Sequence, residues 1–118
     1  MGKLLIALFS SPMQYQNTVT VYEFAKAAVE KKHKVSIFCD ADAVYNLMAD
    51  QIPLDQVTPA KRFAELIDMG VRVLVCQQSA RSRGVDVEKE LIKGLVKSSL
   101  GELAQLMEES DRVVSFNV

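Results

Sequence analysis

Cysteine and histidine are scarce in this chain. Two cysteines and one histidine are too few to supply a structural zinc site from a single copy. The cysteines, Cys39 and Cys76, lie far apart in a chain with no secretory pattern. A structural disulfide is therefore not expected, and reduced thiols in the cytoplasm are. Glycine is also sparse, with five in all and none between Ser10 and Thr18. That excludes a P-loop or a dinucleotide fingerprint after the first apolar run, and argues against a flavodoxin-type phosphate loop. A net charge of −1 removes the electrostatic footprint of a general nucleic-acid binder or a basic membrane-surface segment. No apolar stretch approaches the length needed to span a membrane. Lys3 and the run Leu4–Phe9 imitate a signal peptide only weakly and read better as a buried first strand. Ile6 stands where a myristoylation signal needs Ser or Thr.

What is present points to one globular unit. The 118 residues are 49% hydrophobic and 25% charged, enough to bury a core without metals or disulfides. They are read as a single domain over 1–118. Four runs, Leu4–Phe9, Val35–Cys39, Val71–Cys76 and Val113–Phe116, are nearly continuous in apolar residues rather than alternating. Strands buried on both faces, as in a parallel sheet covered by helices, have this pattern. Between them, Val21, Phe24, Ala25, Ala28 and Val29 define one helix face, with Asn17 or Thr18 as cap. Ala60, Phe63, Ala64 and Ile67 define a second, between Thr58-Pro59 and Gly70. Leu91, Ile92, Leu95 and Val96 suggest a third. Leu100, Leu103, Ala104 and Met107 suggest a fourth, capped by Ser98 or Ser99. The order predicts an α/β fold: three-layer α/β/α, doubly wound, with a mainly parallel sheet of four to five strands. Asp50–Pro59 is expected to be a long surface loop.

In such sheets reactive groups gather beyond the carboxyl ends of the strands. Ser10–Asn17, Asp40–Val44 and Gln77–Gly84 fall there. Cys76 ends its strand and is followed at once by Gln77, Gln78, Ser79, Ala80, Arg81, Ser82 and Arg83. A helix starting after Cys76, with Arg81 and Arg83 in the same loop, would favour a nucleophilic thiolate. A buried packing cysteine is the alternative reading of the same position. Cys39 is followed by Asp40 and Asp42, which disfavour a thiolate, so it reads as a packing residue. The two aspartates do not make a receiver-type phosphoacceptor pocket, because Cys76 ends the strand where the acceptor would stand. His33, in Lys31-Lys32-His33-Lys34, is placed at the opposite, amino edge of the sheet, and no Ser/His/Asp arrangement forms around it.

The segment Cys76-x-x-x-Ala80-x-x-Arg83-Gly84-Val85 resembles the active-site segment of the DsrE/DsrF/TusD family of intracellular sulfur-relay proteins, TusD/DsrE branch. Leu100-Gly101-x-Leu103-Ala104 with Asp111-Arg112-Val113-Val114-x-Phe116 resembles that family's last helix and strand. Phe24-Ala25 and Val44-Tyr45-Asn46 also fit, so the likeness spans nearly the whole chain. The resemblance implies a DsrEFH-like fold and a cytoplasmic sulfur carrier. It implies that Cys76 accepts a persulfide and passes it on, in tRNA thiolation or sulfur oxidation. The site lining is then Gln77, Gln78, Ser79, Arg81, Arg83, Ser11 and Tyr15. No cofactor and no metal are expected. The implied partners are sulfur-donor and sulfur-acceptor proteins, including a small TusA-like carrier, with no direct contact to nucleic acid or membrane. The implied assembly is a homo-trimer or homo-hexamer, or a hetero-oligomer with sister subunits, to which Val85–Val96 would contribute. A non-catalytic scaffold subunit and a small-ligand-binding α/β protein are the competing readings.

Overall fold

The computed structural model describes residues 2–12, 16–53 and 57–116. An all-parallel sheet contains β1 (Lys3–Leu8), β2 (Lys34–Cys39), β3 (Arg72–Cys76), β4 (Val96–Ser98) and β5 (Arg112–Phe116), in the order β4-β3-β2-β1-β5. Four of these strands grow from the four apolar runs; β1, β2 and β3 are covered on both sides, whereas β5 lies at the sheet edge and is largely exposed. The helices are α1 (Asn17–Glu30), α2 (Pro59–Asp68), α3 (Gln77–Ser82) and α4 (Leu100–Glu109), and a 3-10 helix occupies Ala41–Leu47.

The chain's path decides which face each helix covers. From β1 to β2 to β3 it steps along the sheet in one direction, and from β4 to β5 it returns past β1. Right-handed crossovers then place α1 and α2 on one face and α4 on the other. The packing agrees with this rule. Val21, Tyr22, Ala25, Phe63 and Leu66 form the larger core with Ile6, Leu8, Ile37, Cys39, Val73 and Val75. On the other face Leu5, Phe38, Leu74 and Cys76 lie beneath Leu103 and Leu106, flanked by Val96. The expected three-layer, doubly wound arrangement is therefore present. The second face is thinly covered, for no residue of α4 is buried.

Several local expectations are corrected. Leu91–Val96 is not a helix. Ala49 N–H donates to the Glu90 carbonyl and Ile92 N–H to the Leu47 carbonyl, and the chain then passes through a turn at Lys93–Gly94 into β4. Gly94 sits there at φ +90°, a conformation outside the helical region. In α1 the core side is Thr18, Val21, Tyr22, Ala25 and Ala28, and Phe24 is exposed. Arg62 of α2 lies over the Tyr22 ring at 4.9 Å and the Tyr22 hydroxyl donates to Glu65, so a partner helix holds this residue inward. Neither Asn17 nor Thr18 caps α1; both bond elsewhere, as described below. The other caps form as expected. Thr58 Oγ1 accepts from Lys61 N–H at 3.2 Å, Gly70 follows α2 at φ +99°, and Ser99 Oγ accepts from Glu102 N–H at 3.4 Å. α4 is turned relative to its expected face: Leu103 and Leu106 pack inward, while Leu100 and Met107 are exposed.

Candidate functional site

The carboxyl edge of the sheet brings together the ends of β1, β2, β3 and β4. Cys76 is both the last residue of β3 and the N-cap of α3. Its neighbour Val75 faces the α1/α2 core, so the alternation along β3 turns the Cys76 side chain to the α4 face. There it is 1% exposed, packed with Leu5, Phe38 and Leu74. Cys39, last in β2, points into the opposite core and is fully buried. The two thiols are free and on opposite faces of the sheet, so Cys39 is not placed to resolve Cys76. Burial first, then the charge of Asp40, pushes the Cys39 thiol well above its ordinary range. Its sequence reading as a packing residue agrees.

The loop after Cys76 splits by face. Ser79 Oγ donates to Asp40 Oδ1, which also accepts from Ala41 N–H at 2.8 Å. Asp40 thus caps the 3-10 helix, and Ala41 takes the unusual φ of +51° directly after it. Arg83 Nε donates to Asp42 Oδ1 at 2.8 Å, and its Nη1 reaches the Ser79 carbonyl and Ser82 Oγ, each at 3.1 Å. Ser79 and Arg83 therefore fasten α3 to the turn after β2. The charge of Arg83 is committed to Asp42 rather than free for Cys76. Gln77 is half-buried, and Gln78 and Arg81 are exposed. Ser11 is half-buried in the loop after β1, while Tyr15 lies outside the described residues.

Two features of this edge were not singled out from the sequence as parts of a site. The first is a buried polar network. Asn46 accepts from Thr18 Oγ1 at 2.6 Å and donates to the carbonyls of Ala43 and Ser10, at 2.9 and 3.1 Å. Asn17 Nδ2 donates to Ser10 Oγ at 2.9 Å. This network ties the loop after β1 to α1 and to the 3-10 helix. The only prior signal was the likeness at Val44-Tyr45-Asn46, which carries no role by itself. The second is Ser98, the register partner of Cys76 on β4. Its sequence reading was a helix cap, and that role belongs to Ser99.

Elsewhere, His33 Nδ1 accepts from Gly2 N–H at 3.0 Å at the amino edge, the end expected for it. An open groove of about 490 Å³ at that edge is lined by Lys3, His33, Lys34, Arg72 and Glu109 and does not include Cys76. Among the described residues no cluster of His, Cys, Asp and Glu is suited to a metal, and no helix is long and apolar enough to cross a membrane.

Fold and site together define a parallel α/β protein with one cysteine at the strand-to-helix break of β3. Residues 2–116 match the model of the DsrE/DsrF-like family. The chain belongs to that family. It is 34% identical over 131 residues to a sulfurtransferase TusD homolog of Vibrio parahaemolyticus, covering 98% of this chain and all of the relative. It is 30% identical over 127 residues to a putative sulfurtransferase DsrE of Allochromatium vinosum, covering 97% and 98% of the two chains. The crystal structure of the ychN protein from E. coli superposes with a TM-score of 0.89 at 24% identity, over 98% of this chain and 100% of that one, and bears on the fold alone.

Proposed function

We propose that this chain is a sulfur carrier that accepts a persulfide on Cys76. One observation carries the reading. Of the two thiols, only Cys76 stands on the thinly covered face at the carboxyl edge, whereas Cys39 is sealed in the main core, where burial disfavours its thiolate. The names of the curated relatives point the same way. In the first step the Cys76 thiolate attacks the outer sulfur of a donor persulfide, the donor's S–S bond breaks and its thiolate leaves. In the second, an acceptor thiolate attacks the outer sulfur now on Cys76, and the Cys76 thiolate is released. Neither step has a net oxidant or reductant, and neither calls for a cofactor. Because Cys76 is buried in the single chain, the donor must displace its cover, which includes Leu103 and Leu106 of α4, a helix with no buried residue.

The working unit of this reading is one cytoplasmic domain over residues 1–118. Its partners are a donor and an acceptor protein, a small TusA-like carrier among them. The apolar residues Val85 and Leu91 are used in the chain's own core. Support for a trimer or hexamer therefore shifts to Leu100 and Met107 of α4 and Val113 of β5, which are exposed. Sulfur-35 supplied on a persulfidated donor tests the relay. Label should appear on this chain and then on an added acceptor, and Cys76→Ser should stop both. Label that reaches the acceptor equally well with Cys76→Ser would favour a scaffold subunit instead.

A further inference from the structure

Ser98 is in register with Cys76 on the adjacent parallel strand. Register partners in a parallel pair share a face, and the neighbours confirm which one. Val96, two residues earlier, packs against the cluster that holds Cys76, while Lys97 is exposed and pairs with Glu88. Ser98 is only 2% exposed, and its Oγ has no hydrogen-bond partner among the described residues. Buried hydroxyls are nearly always satisfied, so an orphan beside a reactive group calls for a partner in another state of the site. The loaded cysteine supplies one. A persulfide places its outer sulfur about 2 Å beyond Sγ. Neighbouring strands are about 4.8 Å apart, so this extension suffices to bring an acceptor within reach of the adjacent strand. Room for the added atom can come from α4, none of whose residues is buried.

We infer that Ser98 is a positioning residue for the carried sulfur: its hydroxyl donates a hydrogen bond to the outer sulfur of the persulfide on Cys76. This rests on the carrier reading and adds to it a residue on a different strand. The bond exists only in the loaded state. It holds the outer sulfur over the paired ends of β3 and β4, on the α4 face, and slows its loss to solvent thiols. No covalent change occurs at Ser98.

The test loads wild type, Ser98→Ala and Ser98→Thr with sodium polysulfide and follows the outer sulfur by intact mass during exposure to a fixed concentration of glutathione. Ser98→Ala should load but lose its sulfur about tenfold faster than wild type, the order of effect expected from one hydrogen bond to a charged group. Ser98→Thr, which keeps the hydroxyl, should recover most of the difference. Melting separates this role from a structural one. Unloaded Ser98→Ala should melt at or above wild type, since it sheds an unpaired hydroxyl, and only wild type and Ser98→Thr should gain stability on loading. Equal sulfur lifetimes in wild type and Ser98→Ala, both loaded, would overturn this inference and leave the carrier reading standing. No uptake by any of the three proteins would overturn both.

Discussion

Asn46 is the polar residue whose removal should be felt most, and its cost can be worked from its bonds. It is fully buried, accepts from Thr18 Oγ1, and donates to the carbonyls of Ser10 and Ala43. Asn46→Ala leaves the hydroxyl of Thr18, itself buried, without its acceptor, at a cost of about 1–3 kcal/mol. Each carbonyl that loses its donor adds roughly 1 kcal/mol, and both retain other ways to be satisfied in part. The expected loss is therefore about 3 kcal/mol, or roughly 10–15 °C in Tm for a chain of this size. Urea unfolding followed by circular dichroism measures it directly. Asn46→Asp provides a control on mechanism. It keeps the acceptor for Thr18 but turns a carboxylate towards two carbonyl oxygens, so it should be at least as unstable at neutral pH. It should recover as pH falls, because the protonated carboxyl donates again and the native state then binds the extra proton. A loss below about 0.5 kcal/mol for Asn46→Ala, the range of an ordinary surface change, would refute the claim that this network holds the edge together.

Cys39 gives the chain a predictable weakness to alkali. Its thiol is raised in the folded state, first by burial and then by Asp40, so folding favours the protonated form. That stability is complete below the ordinary thiol range and is lost above it, at up to about 1.4 kcal/mol per pH unit as the unfolded chain ionises. Between pH 9 and 11, chemical denaturation should show wild type losing stability more steeply than Cys39→Ala, and parallel profiles would contradict this. The Arg83–Asp42 pair should matter little to folding, since Asp42 is half-exposed. Arg83→Ala should cost no more than about 1 kcal/mol in low salt and less in high salt, and a loss of several kcal/mol would show that its bonds to Ser79 and Ser82 dominate.

The layers of this fold were legible because burial on both faces leaves a simple mark. The runs at Leu4, Val35 and Val71 are nearly continuous in apolar residues because helices cover each side, with Ser36 and Arg72 as the interruptions, and their shortness and β-branched content favour strands over buried helix segments. β4 left no such mark. It has three residues at the sheet edge, with Lys97 facing out and Ser98 facing in, and the helical spacing of Leu91, Ile92, Leu95 and Val96 outweighed it. Tyr22 replaced Phe24 in the core because Arg62 and Glu65 meet it from α2, a contact that periodicity within α1 cannot register. At the site, Cys76 was legible from the break between an apolar strand and a polar turn. The partner of Arg83 was not, because the topology brings Asp42 beside it from 41 residues away. Ser98 was hidden for the same reason: only strand pairing sets it against Cys76.

The most direct measurement is intact mass, with peptide mapping, of wild type, Cys76→Ser and Cys39→Ser after incubation with a persulfide donor. Wild type and Cys39→Ser should each gain the mass of one sulfur atom, mapped to the peptide that contains Cys76, and Cys76→Ser should gain none while keeping its circular dichroism spectrum. Sulfur uptake by Cys76→Ser together with none by Cys39→Ser would place the reactive thiol in the wrong strand and contradict the assignment.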